Sequence, residues 1–538
     1  MSKARTLANL ISDNAELADG QISVAEVVGA APTASPTFTG TATVNGNVSV
    51  DGGTIKLDGN YPTGTNNVAL GDLTLNAVTS SEGSTAVGSN ALASVTSGIR
   101  NTALGNYSLN QTTTGVYNVA VGNRALNDQT TGGNNVAVGY DALGSNTTAN
   151  NNTAVGYQAG YTNTTGAQIT AVGQSALKLN TTGAYNNAFG YQTLNDNTTG
   201  NYNAAFGSQA LASNTTADNN TVVGFQAGFN NTTGAQNTFV GQGAADSNTT
   251  GSNNTALGRT SLGANTTGGS NVAMGRDALY SNTTANNNTA VGFQAGYTNT
   301  TGVNNLSLGY QAGYTNATSN YNTAVGAQSL AYNTGSSNVA LGQSALFSNT
   351  TASDNIAVGR SAMYYNTTGS ENVALGRSAL AANTTASHGT AVGREALNVN
   401  TTGAENSAFG SGALVNNTTG SNNVGLGRYA LALNTTASNN TAVGYQAGYS
   451  NTTGAGATAV GYKALYANNQ GTNAAFGSSA LTANTSGYYN TALGNSSSFS
   501  TTTGVSNTSV GYVSLRLNTS GSYNTAVGES ALRSNTTA

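Results

Sequence analysis

The chain has no cysteine and no tryptophan, only three prolines and one histidine, and charged residues make up just 6% of its 538 positions. Without cysteine there are no disulfides and no thiolate metal sites, and the redox compartment is left open. A net charge of −4, thinly spread, offers no basic stripe to a nucleic-acid backbone, so no nucleic-acid partner is expected. No apolar run approaches the ~20 residues of a membrane-crossing helix, so no membrane insertion is expected either. Met1 to Gly20 carries Lys3 and Arg5 but is broken by Asp13, Glu16 and Asp19, and it lacks the roughly 7–15-residue apolar core of a secretory signal. The expectation is synthesis in the cytoplasm without export. Pro32, Pro36 and Pro62 all fall before residue 67, leaving the rest of the chain free of the one residue that cannot donate a backbone hydrogen bond.

What fills the chain instead is a strict period. Between Gly71 and Gly528 a glycine follows a large apolar residue 28 times; of the 27 intervals, 25 are 17 residues and two are 16 (Gly326 to Gly342 and Gly461 to Gly477). Polar low-complexity composition often means disorder, but disordered chains lack such an apolar rhythm. A spacing this regular marks a solenoid in which each repeat is one coil stacked on the last. The sequence therefore predicts an all-β fold, a fibrous parallel β-solenoid or β-roll of about 28 coils of 17 residues. Three regions are expected: residues 1–30, with a short amphipathic helix over Leu7, Leu10, Ile11 and Leu17; residues 31–66, a β-rich connector with a hairpin over 41–50 at Asn45-Gly46; and residues 67–538, the shaft.

Let the glycine of each repeat be position 0. The residue before it is large and apolar (Leu70, Val138, Phe189, Met274), the next one back is usually alanine, and the one before that is mostly valine or threonine. This period-2 pattern predicts a short strand with one face buried, and about three sizeable apolar side chains per repeat are available for burial. They fall well short of the entropy of ordering 17 residues, so a coil cannot fold without neighbours. The repeats are thin in bulk, which favours several chains per fibre, and a homotrimer is expected.

Position 13 is asparagine in 24 of 28 repeats, Asn101, Asn118, Asn135, Asn152 and Asn220 among them; the exceptions are Ser84, Ile169, Gly389 and Ala457. Equivalent residues in stacked coils lie about 4.8 Å apart, close enough for an amide ladder; turn chemistry alone is the competing explanation. Position 4 is usually leucine. Where it is Gly160, Gly228, Gly296, Gly313 or Gly448, an aromatic follows at once (Tyr161, Phe229, Tyr297, Tyr314, Tyr449), as if to supply the missing core volume. The rest of the repeat is an Asn-Thr-Thr-Gly or Asn-Thr-Thr-Ala turn.

Nothing in the repeat suggests catalysis. His388 sits in a turn, the acids never form a repeated pair, and no phosphate loop or calcium-roll pattern occurs. No catalytic residue, cofactor or metal is expected. Position 1 is different: Tyr140, Tyr157, Tyr191, Phe225, Arg276, Arg360, Arg377 and Arg428 would line up as a contact stripe, either a plain solvated or interchain face or a platform for sugar rings. An ice-binding solenoid is a further alternative, set against by threonines that fall in turns.

The units Asn135-Val136-Ala137-Val138-Gly139 and Asn152-Thr153-Ala154-Val155-Gly156 resemble head repeats of trimeric autotransporter adhesins. That resemblance implies a left-handed parallel β-roll with three chains to a rod. The longer unit from Asn152 to Gly166 is similar to repeats in bacterial and phage tail-fibre-like proteins. Met1-Ser2-Lys3-Ala4-Arg5 and Ala34-Ser35-Pro36-Thr37-Phe38-Thr39-Gly40 resemble the starts of tail fibres of tailed phages, those of marine cyanobacteria in particular. This implies a virion structural protein, assembled in the host cytoplasm. It would join tail or baseplate proteins through residues 1–30 and contribute to host attachment, with a surface glycan as one partner. The alternative is a fragment of a cell-surface trimeric adhesin, which would need an export signal and a membrane barrel.

Overall fold

A computed structural model describes residues 64–537. The helix expected within residues 1–30 and the hairpin expected over 41–50 lie outside the described residues. From residue 64 onward the chain is a parallel β-solenoid, one coil to each 17-residue repeat, and the described residues contain no helix. Its 28 strands, β1 (Val68–Leu70) to β28 (Thr525–Val527), are three residues each and form one sheet. Each strand pairs in parallel with the next, in the register Val136↔Thr153, Ala137↔Ala154, Val138↔Val155. The two 16-residue repeats keep this register, with Thr323 opposite Val339 and Thr458 opposite Ala474, so their missing residue is absorbed in the turn.

Hydrogen bonding between coils continues well beyond the strand. In one coil Gly139 N donates to Val121 O (2.8 Å), Asp141 N to Asn123 O (3.0 Å), Leu143 N to Ala159 O (2.9 Å), Ser145 N to Tyr161 O (3.0 Å), Thr147 N to Thr164 O (3.1 Å), Asn151 N to Gly133 O (3.1 Å) and Thr153 N to Ile169 O (2.9 Å). A proline at any of these positions would delete a rung, which explains why the array has none.

Left-handed backbone turns the corners. Position 2 (Asp141, φ 53°), position 4 (Leu143, φ 50°) and position 12 (Asn151, φ 61°) recur in that conformation up the stack. A leucine held there is strained by roughly 1–2 kcal/mol, and the ladder on both sides keeps it in place. Gly139 has φ 136°, in a region no L side chain adopts readily, and a Cβ on it would collide with the carbonyl oxygen of Gly156 directly above. Both constraints act from Gly71 to Gly511, and the positive φ alone at Gly528, so the glycine recurs without exception.

The interior differs from what the alternation suggests. The strand alanines, such as Ala137 and Ala154, point inward and are fully buried, together with Ala142 and Leu143 at positions 3 and 4. The large residues on either side face outward: Leu104, Phe206 and Val223 are each at least 40% exposed. One leucine per coil, not three bulky side chains, therefore carries the apolar core. A small inward strand residue, alanine in most coils, leaves room for it in so narrow a coil.

The aromatics after Gly160, Gly228, Gly296, Gly313 and Gly448 do not refill the core. They sit half-buried on the outer surface, and Tyr280, Tyr297 and Tyr314 stack there with ring centroids 5.4 and 5.3 Å apart. At two of the five a larger inward residue supplies volume instead. A Cβ at Gly228 would lie 2.9 Å from the ring of Phe239, which replaces the strand alanine of the same coil and is fully buried. At Gly160 the neighbours are Leu143 and Ile169, the latter standing where asparagine is usual.

Candidate interaction surface

The buried polar groups come first, since they set the coil's shape. Asn101, Asn118, Asn135, Asn152 and Asn220 are all fully buried. Each uses its amide mainly for the backbone. Asn118 Nδ2 donates to Gly132 O (3.0 Å), and Asn118 Oδ1 accepts the backbone N–H of Asn135 (3.0 Å). The equivalent bonds are Asn101 Nδ2 to Gly115 O (2.8 Å), Asn152 N to Asn135 Oδ1 (2.9 Å) and Asn237 N to Asn220 Oδ1 (2.9 Å). Amide-to-amide contacts at this position are longer, as from Asn118 Nδ2 to Asn101 Oδ1 (3.1 Å) and from Asn220 Nδ2 to Asn203 Oδ1 (3.2 Å).

A tighter amide ladder stands at position 7, in the turn. Asn163 donates to Asn146 Oδ1 (2.9 Å), Asn180 to Asn163 (2.8 Å), Asn197 to Asn180 (2.7 Å) and Asn214 to Asn197 (2.7 Å). Beside it Thr164 Oγ1 donates to Thr181 O (3.0 Å), one rung of a threonine ladder. Reading Asn-Thr-Thr-Gly as turn chemistry missed both ladders; the fixed placement of that asparagine in nearly every repeat was the available signal.

The outward surface is a set of columns. Across one strand, positions 12, 14, 16 and the next position 1 are outward, and the residues between them point in or are glycine. Glu371, Val373, Leu375 and Arg377 illustrate the pattern, with Asn372 and Ala374 buried between them. All eight expected stripe residues fall in the position-1 column. Tyr140 and Tyr157 stack at 5.5 Å, and Tyr191 and Phe225 continue the column exposed. Arg276 lies over Phe293 (5.5 Å) and pairs with Asp277 (3.3 Å). Arg360 and Arg377 occupy adjacent coils, Arg377 pairs with Glu395 (2.9 Å), and Arg428 lies over Tyr429 (4.9 Å). Arg259, Arg394, Tyr310, Tyr445 and Tyr462 share the column and could have been found by the same count. The stripe is continuous in position but mixed in chemistry.

On the other edge, at position 12, Tyr185 stacks on Tyr202 (4.8 Å) and His388 lies 3.4 Å from Glu371, both exposed. Besides the Thr-Thr pairs of the turns, strand threonines such as Thr221, Thr238 and Thr255 face outward. They share that face with Phe189, Phe206, Leu257 and Met274, whose uneven bulk roughens it. Two groups have shifted titration. Burial pushes the Asp246 carboxyl above its ordinary range; burial, then Tyr314 and Tyr280, raises Tyr297. Among the described residues no three His, Asp or Glu side chains are grouped to hold a metal ion, and no helix is long and apolar enough to cross a membrane. Compared with protein-family models and with curated proteins, the chain matches none.

Proposed function

We propose that the chain is a structural fibre protein, the shaft of a phage tail fibre that extends from the virion and contributes to host attachment. The observation that carries this reading is the uniformity of the solenoid: coil after coil offers the same four outward positions, and what varies along the rod is their surface chemistry. Such a surface suits reach and weak multivalent contact better than catalysis. The resemblance of Met1 to Arg5 and of Ala34 to Gly40 to tail-fibre starts supplies the phage context. Residues 1–30 would dock the fibre to the tail or baseplate, and exposed aromatics such as Tyr140 and Tyr157 would meet host glycans.

The fibre is proposed to be a parallel homotrimer. Exposed apolar columns of this length are partner surfaces in water-soluble proteins. From position 12 to the next position 1 the outward face spans at most about 20 Å, the length at ~3.3 Å per fully extended residue. Three such faces around one axis would leave about 6 Å from axis to sheet, which outward Val, Leu and Phe side chains fill. The strand alanines lie inside each coil, so the position-14 and position-16 columns would line the axis.

Deleting residues 2–30 tests the functional assignment. The expected product is a folded rod that no longer joins virions; particles that still carry the truncated fibre would show that the attachment segment, and with it this assignment, is wrong.

A further inference from the structure

One short block of coils breaks the monotony of the rod's charge. In β18 (Ile356–Val358), β19 (Val373–Leu375) and β21 (Ser407–Phe409) the position-12 edge carries Asp354, Glu371 and Glu405. The opposite edge carries Arg360, Arg377, Arg394 and Arg428, following β18, β19, β20 (Thr390–Val392) and β22 (Val424–Leu426). Every one of the seven is exposed. Between the two edges lie exposed Ile356, Val358, Leu375, Phe409, Val424 and Leu426. An acidic edge, an apolar strip and a basic edge thus lie side by side on the outward surface.

Like charges on neighbouring strands repel, and here they are stacked along each edge. Relief within the chain is partial: Arg377 pairs with Glu395 and Glu371 lies 3.4 Å from His388, whereas Asp354, Arg360, Arg394, Glu405 and Arg428 make no ion pair among the described residues. We propose that this block is the alignment device by which copies of the chain associate side by side, parallel and in axial register. The inference rests on the self-association proposed above and adds to it a place and a direction.

Symmetry supplies the argument. Rotating a second copy about the rod axis brings its acidic edge to the first copy's basic edge at the same height, which satisfies both edges and covers the apolar strip. An antiparallel copy places acid on acid and base on base. Register needs such a device because near-identical coils pair almost equally well when slid by one or more repeats, as in any pattern of short period. A charged block confined to five strands makes those shifted alignments lose their ion pairs.

The test uses the full chain in three forms: Asp354→Arg/Glu371→Arg/Glu405→Arg, Arg360→Glu/Arg394→Glu/Arg428→Glu, and the two sets combined. All the altered residues are exposed, and circular dichroism checks that each form is folded. Sedimentation velocity at low salt is expected to show each single-edge reversal raising the dissociation constant at least tenfold, and the combined reversal restoring it to near the unmodified value. Added salt should narrow these differences, since the Debye length falls to about 10 Å at 0.1 M. If the unmodified chain is trimeric and the single-edge forms assemble equally well, or if the combination fails to recover, the alignment block is wrong and the trimer stands. A chain that stays monomeric at every concentration overturns both.

Discussion

Replacing Asn180 by alanine removes an amide that donates to Asn163 Oδ1 at 2.8 Å and to Gly183 O at 2.9 Å, and that accepts from Asn197 at 2.7 Å. Its partners stay buried, and each unsatisfied group costs about 1–3 kcal/mol. Hydrogen exchange should therefore show local stability lowered by roughly 2–4 kcal/mol around residues 163–197. The exposed Thr182→Ala, two residues further along the turn, should change it by less than about 0.5 kcal/mol. Equal effects from the two substitutions would mean that the position-7 ladder contributes nothing. At this scale the sequence was informative about identity and silent about partners. A regular asparagine signals a constraint, but whether its amide faces a backbone or another amide depends on corners turned by left-handed residues. Leu143 at φ 50° shows why those corners were not foreseen: leucine has no local preference for that conformation and takes it only because stacked coils impose it.

The strands themselves were legible to the residue, because valine or threonine, alanine and a large apolar residue before glycine have only one extended arrangement at that period. Which face is inside was not. Hydrophobicity alone points Val136 and Val138 inward, and the narrowness of the coil sends Ala137 inward instead. The interior that results is discontinuous. Gly296 and Gly313 remove the leucine from successive coils, buried Ser307 replaces the strand alanine between them, and the apolar core divides there into two clusters, one ending at Ala295 and one beginning at Ala312. A second polar stretch follows the last cluster, where Ser497, Ser498, Ser509 and Ser514 bond to one another, with Ser497 Oγ 2.6 Å from Ser509 Oγ. In a solenoid, stability is a sum over neighbouring coils, so opening begins where the interface is poorest in apolar contact. Exchange measured by mass spectrometry should have a protection minimum at about residues 292–322, flanked by slower coils on both sides. Uniform protection through that stretch would show that hydrogen-bond ladders, and not the apolar column, set local stability.

Across the whole molecule, the period of 17 was the most reliable feature of the sequence, since only a stacked coil makes equivalent residues neighbours at a fixed chain distance. The pairing register from β1 to β28 follows it throughout, including both 16-residue intervals. The outward columns were partly legible: the position-1 stripe could be counted, whereas the facing acidic edge at position 12 went unread because it means little until the strand between the two is known to face outward. The account's central claim, that each repeat is one coil of a linear rod, is tested most directly by length. Removing residues 139–308 deletes ten repeats and joins Val138 to Gly309 in register. Electron microscopy of the purified full-length and shortened proteins should show rods that differ by about 48 Å, at ~4.8 Å per coil. A difference near zero, or one about twice that, would contradict the stacked-coil architecture.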